Sequence, residues 1–395
     1  MVVTLVLCAC SGGSSEPEVE VKKQPTVLDI YVYSPDKPAI TRSDNGNVDA
    51  DSDNEKKISS LHIWVFRHRD GALMGYLSPD VTSLSENGNA VYQIVMPDDF
   101  VTEKPNVDVY VMANVTAANC GPTPPDKLDK DVTRSRLEGI LIGHNGASDY
   151  YGLTTLVTAA PDEGLPMSGV LKNQPVYGEA PVLRIGTSEH MATLLLVRAV
   201  SKMRFIFSKF ENDTRVYTLT SVSLNGSTMP KQEYLFLDGA YPTYRFKVGS
   251  DYETGDLPLM SNELTNDKIK SCEDPSVYAY VSGDGQAYET LFDNALKSDD
   301  TVIPPLEAKL TEVGRFYLRE SDKKLTGTIS YKVEEESKEP MLKEATFSMK
   351  TDGDFSRNHT WIVYAYFMNG DLLNVNLVDV KSWTLYPGSH EVYNW

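Results

Sequence analysis

The residues of this chain best suited to chemistry sit at its start. Cys8 and Cys10 follow the apolar run Val2-Val3-Thr4-Leu5-Val6-Leu7 and precede Ser11-Gly12-Gly13. The run is too short to span a bilayer, which takes about 20 apolar residues. It reads as the tail of a secretory signal, with small residues marking the cleavage site. Leu7-Cys8-Ala9-Cys10 has the form of a bacterial lipobox, an aliphatic and two small residues before the acylated thiol, which places the lipid on Cys10. Several acyl chains, at about 0.8 kcal/mol per buried CH₂, make a stable membrane anchor. A charged region ahead of the run is missing from Met1 onward, which suggests a translation start further upstream. The remaining cysteines, Cys120 and Cys272, form no C-x-x-C pair. They suit either a disulfide in an oxidising compartment or two inert buried thiols.

Other candidate chemistry is weak. Asp49-Ala50-Asp51-Ser52-Asp53-Asn54-Glu55 resembles a calcium loop, but the places for the turn glycine and bidentate glutamate hold Asn54 and Ser60. A solvated acidic loop is the expectation. The histidines His62, His68, His144, His190, His359 and His390 show no metal-ligand spacing. No nucleophile elbow, phosphate-binding loop or dinucleotide fingerprint occurs. The expectation is therefore no catalytic residue, no metal and no cofactor.

The elements around these residues are strands. A length of 395 residues allows two cores, and 37 Lys+Arg against 56 Asp+Glu give a net charge of -19, which argues against a nucleic-acid partner. Residues 11–25 are a Gly/Ser/Pro/Glu-rich linker after the signal remnant 1–10. Val27 to Tyr33 alternates, with Leu28, Ile30 and Val32 on one face. Ser34 to Lys57 reads as loop. Strand patterns follow at Leu61 to Phe66, Ala90 to Met96 and Val107 to Met112, and one short helix is expected within Thr133 to Gly143. A long apolar strand, Met191 to Phe207, is interrupted only by Arg198, Ser201, Lys202 and Arg204. Further strands are expected at Tyr217 to Leu224, Tyr234 to Leu237, Tyr278 to Val281, Leu325 to Val333, Ala345 to Met349, Thr360 to Phe367 and Leu373 to Val380, with a second helix at Gln286 to Leu296. Many short strands with turn residues between them predict an all-β chain of β-sandwiches. The expected division is 26–198 and 199–395. Leu28, Ile63, Val65, Val109 and Val111 should form the first core, and Phe205, Val222, Ile329, Val363 and Leu377 the second.

Several phrases occur in order along the chain. They are Ala39-Ile40-Thr41-Arg42 before Ile58 to Phe66, Val109-Tyr110-Val111-Met112-Ala113-Asn114, Gly164-Leu165-Pro166-Met167-Ser168-Gly169, Leu196 to Met203, Phe316 to Glu320, Arg357 to Trp361, and Trp383. Together they resemble the fimbrillin superfamily of Bacteroidetes-type (type V) pili, with Ser201 in place of a usual alanine. The acidic linker residues Glu16, Glu18 and Glu20 also resemble a lipoprotein surface-export signal of those bacteria.

The resemblance implies two tandem transthyretin-like β-sandwich domains with few short helices. It implies export to the cell outer membrane as a surface-exposed lipoprotein, trimming at Arg42, and strand exchange with other fimbrial subunits. The fimbrium so built would support adhesion and biofilm formation, with a host or bacterial surface ligand as further partner. Leu28, Ile30 and Val32 would be the displaced strand, and Leu385, Val392 and Trp395 the donor. A shaft or tip subunit is expected; the alternatives are an anchor subunit, which keeps its lipid and is not trimmed, or a monomeric glycan-binding surface lipoprotein.

Overall fold

The structure, a computed structural model, describes residues 24–35, 53–115, 128–145, 148–150, 160–239, 248–260, 262–272, 311–349 and 355–382. Cys10, Arg42, Cys120, the strand at Tyr278, the helix at Gln286, Trp383 and the donor positions Leu385, Val392 and Trp395 lie outside them, as does the side chain of Leu377.

The first part of the chain contributes strands β1 (Val27–Tyr33), β2 (Leu61–Arg67), β3 (Leu73–Leu77), β4 (Asn89–Val95), β5 (Val107–Ala113), β6 (Leu141–Asn145), β7 (Ser148–Tyr150), β8 (Met167–Gln174), β9 (Val176–Glu179), β10 (Val182–Ile185), β11 (Thr193–Leu195) and β12 (Val197–Arg198). Helices α1 (Asp53–Lys56), α2 (Thr82–Asn87), α3 (Asp98–Glu103) and α4 (Arg134–Glu138) are one to two turns each. The second part adds β13 (Ser201–Phe210), β14 (Val216–Asn225), β15 (Gln232–Tyr234), β16 (Asp256–Pro258), β17 (Ser271–Cys272), β18 (Thr311–Leu318), β19 (Thr326–Glu334), β20 (Met341–Met349), β21 (His359–Met368) and β22 (Asp371–Ser382). The chain is all-β.

One sheet runs β11-β1-β10-β9 with β4 on the other edge of β1, and a second runs β12-β8-β5-β2-β3. Between them lie Leu28, Ile30, Val32, Ile63, Val65, Ile94, Val109, Val111 and Leu183, all buried in one cluster. The second sheet is covered on both faces, because Trp64, Phe66, Tyr110 and Met112 point away from that cluster into another. This explains why β5 is buried at every position rather than at alternate ones. In the second part, nine strands in the order β16-β14-β19-β20-β22-β21-β13-β17, with β18 also on β13, enclose one core. Phe205, Phe207, Tyr217, Val222, Ile329, Phe347 and Val363 pack there.

Three sequence expectations change. The stretch Met191 to Phe207 is not one strand: β11 pairs with β1, β12 with β8, and β13 with β18 and β21. Its polar residues Arg198, Ser201, Lys202 and Arg204 are all buried, so they are tied down inside the molecule. The helix expected within Thr133 to Gly143 is only Arg134–Glu138, capped by the Thr133 side chain and ended at Gly139. Leu141 belongs instead to β6, where β15 from the second part pairs with it. The supposed loop before Leu61 carries the helical turn α1, and its Glu55 is fully buried, not solvated.

Candidate functional site

Two places hold side chains whose arrangement exceeds what simple packing needs: the strand β1 and the junction beneath α1.

Strand β1 lies inside its sheet with both edges in use. Its whole length pairs antiparallel with β4, from Val27 opposite Val95 to Tyr33 opposite Asn89. The other edge is shared: Val27 to Asp29 run parallel to Val182 to Arg184, and Tyr31 to Tyr33 run parallel to Thr193 to Leu195. The flanks are tied as well, by Met96 N–H to the Thr26 carbonyl at 2.9 Å and Ser34 N–H to the Gly88 carbonyl at 2.8 Å. Alternation sends Leu28, Ile30 and Val32 into the core at 0%, 1% and 0% exposure. On the outer face Asp29 accepts from Gln93 Nε2 at 2.9 Å and faces Arg184 Nε at 3.7 Å. Opposite Ile30 sits Tyr92, and burial, then the charge of Asp80, push that phenol up to about 12. Its hydroxyl has no hydrogen-bond partner among the described residues. Ile94 and Tyr92 therefore line one side of the β1 position, and Leu183, Ile185 and Leu194 the other.

The junction is built on Glu55. Lys202 Nζ donates to its Oε2 at 2.9 Å, the Tyr317 hydroxyl donates to Oε1, and Arg315 Nη1 lies 3.8 Å from Oε1. The Glu55 carbonyl accepts from Arg198 Nε at 3.2 Å. Lys57 Nζ donates to the Asp162 carbonyl at 2.6 Å, and Asn114 Nδ2 to the carbonyls of Lys57 at 2.7 Å and Leu165 at 2.9 Å. Gly164 passes close by at φ 94°, where an added Cβ would strike the Lys57 carbonyl oxygen and the Asn114 amide. Nearby, Arg357 Nη2 donates to Glu320 Oε1 at 2.5 Å and lies 3.8 Å from Glu233 Oε2, while Arg357 Nη1 donates to the Leu235 carbonyl at 2.8 Å. Burial pushes the Glu233 carboxyl well above its ordinary value; Arg357 opposes that and Glu320 adds to it.

The quoted phrases that fall among the described residues meet at this junction: Asn114, Leu165, Arg198, Lys202, Tyr317, Glu320, Arg357 and Asn358 are all in it or beside it. Glu55 was missed because an acidic run reads as solvated. The signal was on the other side: Arg198 and Lys202 inside an apolar stretch need a buried anion. Of the acidic run, only Asp53, Asn54 and Glu55 are described, and no group of three metal-ligating side chains occurs among the described residues.

Residues 28–188 match the family model of the major fimbrial subunit protein (FimA). No curated protein matches the chain. Among solved structures, a candidate cell adhesion protein of Parabacteroides distasonis is 14% identical with a TM-score of 0.49, covering 89% of this chain and 91% of its own. A candidate cell adhesion protein of Bacteroides eggerthii is 15% identical with a TM-score of 0.44, covering 91% of each chain. The tip fimbrial protein Mfa3 of Porphyromonas gingivalis, with a C-terminal truncation, is 10% identical at a TM-score of 0.44, covering 90% and 99%. These structural scores are low, and the assignment rests on the family model and the ordered phrases it spans. Over residues 28–188 the chain is therefore similar to the family of major fimbrial subunit proteins.

Proposed function

We propose that this chain is a structural subunit of a cell-surface fimbrium, shaft or tip, exported as a lipoprotein through Cys10 and assembled by exchange of strand β1. Adhesion and biofilm formation would then be properties of the assembled fimbrium and its surface ligand, and no step requires catalysis. The observation that carries this reading is the situation of β1. Three fully buried aliphatic side chains contribute about 1.5–3 kcal/mol each. Their sum is comparable with the ~5–15 kcal/mol that holds a whole domain folded. Without β1, β4 faces β10 and β11 across an apolar slot with unpaired backbone groups on both sides. Such a slot accepts an extended strand from a neighbour, whose main chain restores the hydrogen bonds. Arg42, in the stretch that joins β1 to α1, is the proposed cut that lets β1 leave.

The slot sets a rule for the donor. Leu28, Ile30 and Val32 enter at alternate positions, so a donor must offer apolar residues at i, i+2 and i+4. Leu385 and Val392 are seven positions apart and would fall on opposite faces of one extended strand. They can serve as donor knobs only in separate registers or around a bulge. The glycan-binding alternative gains nothing from Trp64 and Trp361, the two described tryptophans, since both are buried.

The test is assembly in vitro. Purified chain treated with trypsin should form a heat-labile ladder on a gel, and Arg42→Ala should not. Adding excess free peptide Val27–Tyr33 should shorten the ladder by refilling the slot. Equal ladders from cleaved wild type and uncleaved Arg42→Ala would remove Arg42 as the switch.

A further inference from the structure

Between β1 and β2 the basic residues are Lys37, Arg42, Lys56 and Lys57. Lys37 precedes Pro38, and the ring and missing N–H of proline keep trypsin-like proteases from cutting there. Three cuttable sites remain. Lys56 and Lys57 have exposed side chains, so accessibility alone would leave them as vulnerable as any loop site. The consequences of cutting there differ from those of a cut at Arg42. A cut after Lys56 or Lys57 would sever α1 from β2 and let Glu55 depart. Lys202 and Arg198, both at 0% exposure, would lose their main anionic and carbonyl partners on that side.

We infer that the buried Glu55 turn is a stop for proteolytic processing, holding the backbone at Lys56 and Lys57 uncut so that trimming ends at Arg42. This rests on the reading that the stretch before α1 is processed. A protease needs several residues in extended form, so a site on a docked turn is cut only when the turn opens locally. Opening this turn means withdrawing the Glu55 carboxylate from Lys202 Nζ and the Tyr317 hydroxyl, and its carbonyl from Arg198 Nε. It also means breaking the Lys57 bonds to Asp162 and Asn114, and drawing out Ile58, which is 3% exposed. Each of these contacts lies within four residues of the two lysines. The stop also keeps the junction closed after β1 has gone: the new N-terminal arm would end in a turn fastened to β13 and β18, and β2 would keep its place between β3 and β5.

The experiment is timed trypsin digestion of the purified full chain, with fragments identified by mass spectrometry. In wild type, cleavage after Arg42 should come first, and cleavage after Lys56 or Lys57 should be at least about 100-fold slower, in proportion to the open population. Glu55→Ala should raise the Lys56 and Lys57 rates about tenfold or more, without changing the Arg42 rate. If Glu55→Ala fails to fold, Tyr317→Phe decides, because it removes one bond to the carboxylate and keeps the ring in place. It should raise the same two rates at least about threefold. Wild-type cleavage at Lys56 or Lys57 as fast as at Arg42 overturns the inference, as do unchanged rates in the deciding variant. An uncut Arg42 beside resistant Lys56 and Lys57 that become labile in the variant overturns the proposed processing site and leaves the stop standing.

Discussion

Glu233 shows what burial does to a single carboxyl. It has no exposure, Glu320 N–H donates to its Oε2 at 2.7 Å, and Oε1 has no hydrogen-bond partner among the described residues. The folded chain therefore binds its proton more tightly than the unfolded chain does, because burial is the largest influence on it. Stability from this group is present below its ordinary value of 4.5 and is withdrawn as pH rises toward the raised folded value. Glu233→Gln, which cannot ionise, should flatten that fall and match or exceed wild type near neutrality. Urea midpoints measured from acid to neutral pH check this, and parallel curves for the two proteins would refute it. Arg357 behaves in the opposite sense. It pairs with Glu320 and lies beside Glu233, and Arg357→Met should cost about 3–5 kcal/mol by taking the cation from the buried Glu320. Equilibrium unfolding measures this loss.

At the scale of the element, β1 combines a strong local pattern with a long separation in sequence from the next element, α1. Seven antiparallel partners on β4 and two parallel partners in succession make it a structural centre of the first sandwich. Ile30→Ala should destabilise the intact chain by about 2–5 kcal/mol, lowering Tm by roughly 4–20 °C. Asp29→Ala, on the outer face, should shift it less, because it removes one hydrogen bond to Gln93 and a long contact to the half-exposed Arg184 and leaves no cavity in the core. Equal shifts from the two variants, in thermal unfolding followed by circular dichroism, would show that the inward face of β1 does not carry the core. In the proposed exchange β1 is the member that would leave, and its connections differ from those of its neighbours. β4, β9 and β10 are joined to neighbours through short connections within the described chain, whereas β1 is separated from α1 by residues 34–52.

The whole molecule is held together across its middle. We propose that two units meet at residues 198 and 199, where β12 ends in one sheet and the chain turns into β13 of another. The core between them draws on both parts: Trp64, Tyr110 and Ile142 pack with Leu235, Phe236 and Tyr317. Phe236 meets the Tyr110 ring edge-on with centroids 5.2 Å apart, and β15 extends the small sheet begun by β6. Calorimetry should thus show one cooperative transition in wild type. Phe236→Ala, at a cost of about 3–5 kcal/mol, should separate it into two. Two transitions already present in wild type would mean that the middle cluster does not couple the units.

The sequence by itself determined the strands and their inward faces. Leu28, Ile30 and Val32 alternate because a strand has period two, and that local rule needs no knowledge of neighbours. It also carried the resemblance to fimbrial subunits, through phrases such as Val109 to Asn114 and Leu196 to Met203, which name residue types in order. Sequence could not settle what lies across space from those phrases. Whether Arg198 and Lys202 were exposed interruptions or buried anchors depended on Glu55, which is 143 and 147 positions away in the chain. The division of Met191 to Phe207 among three sheets likewise depended on which partners stood beside each piece. Pattern fixes which face of an element is apolar; only the packed chain decides which element covers that face, and which buried charge answers another.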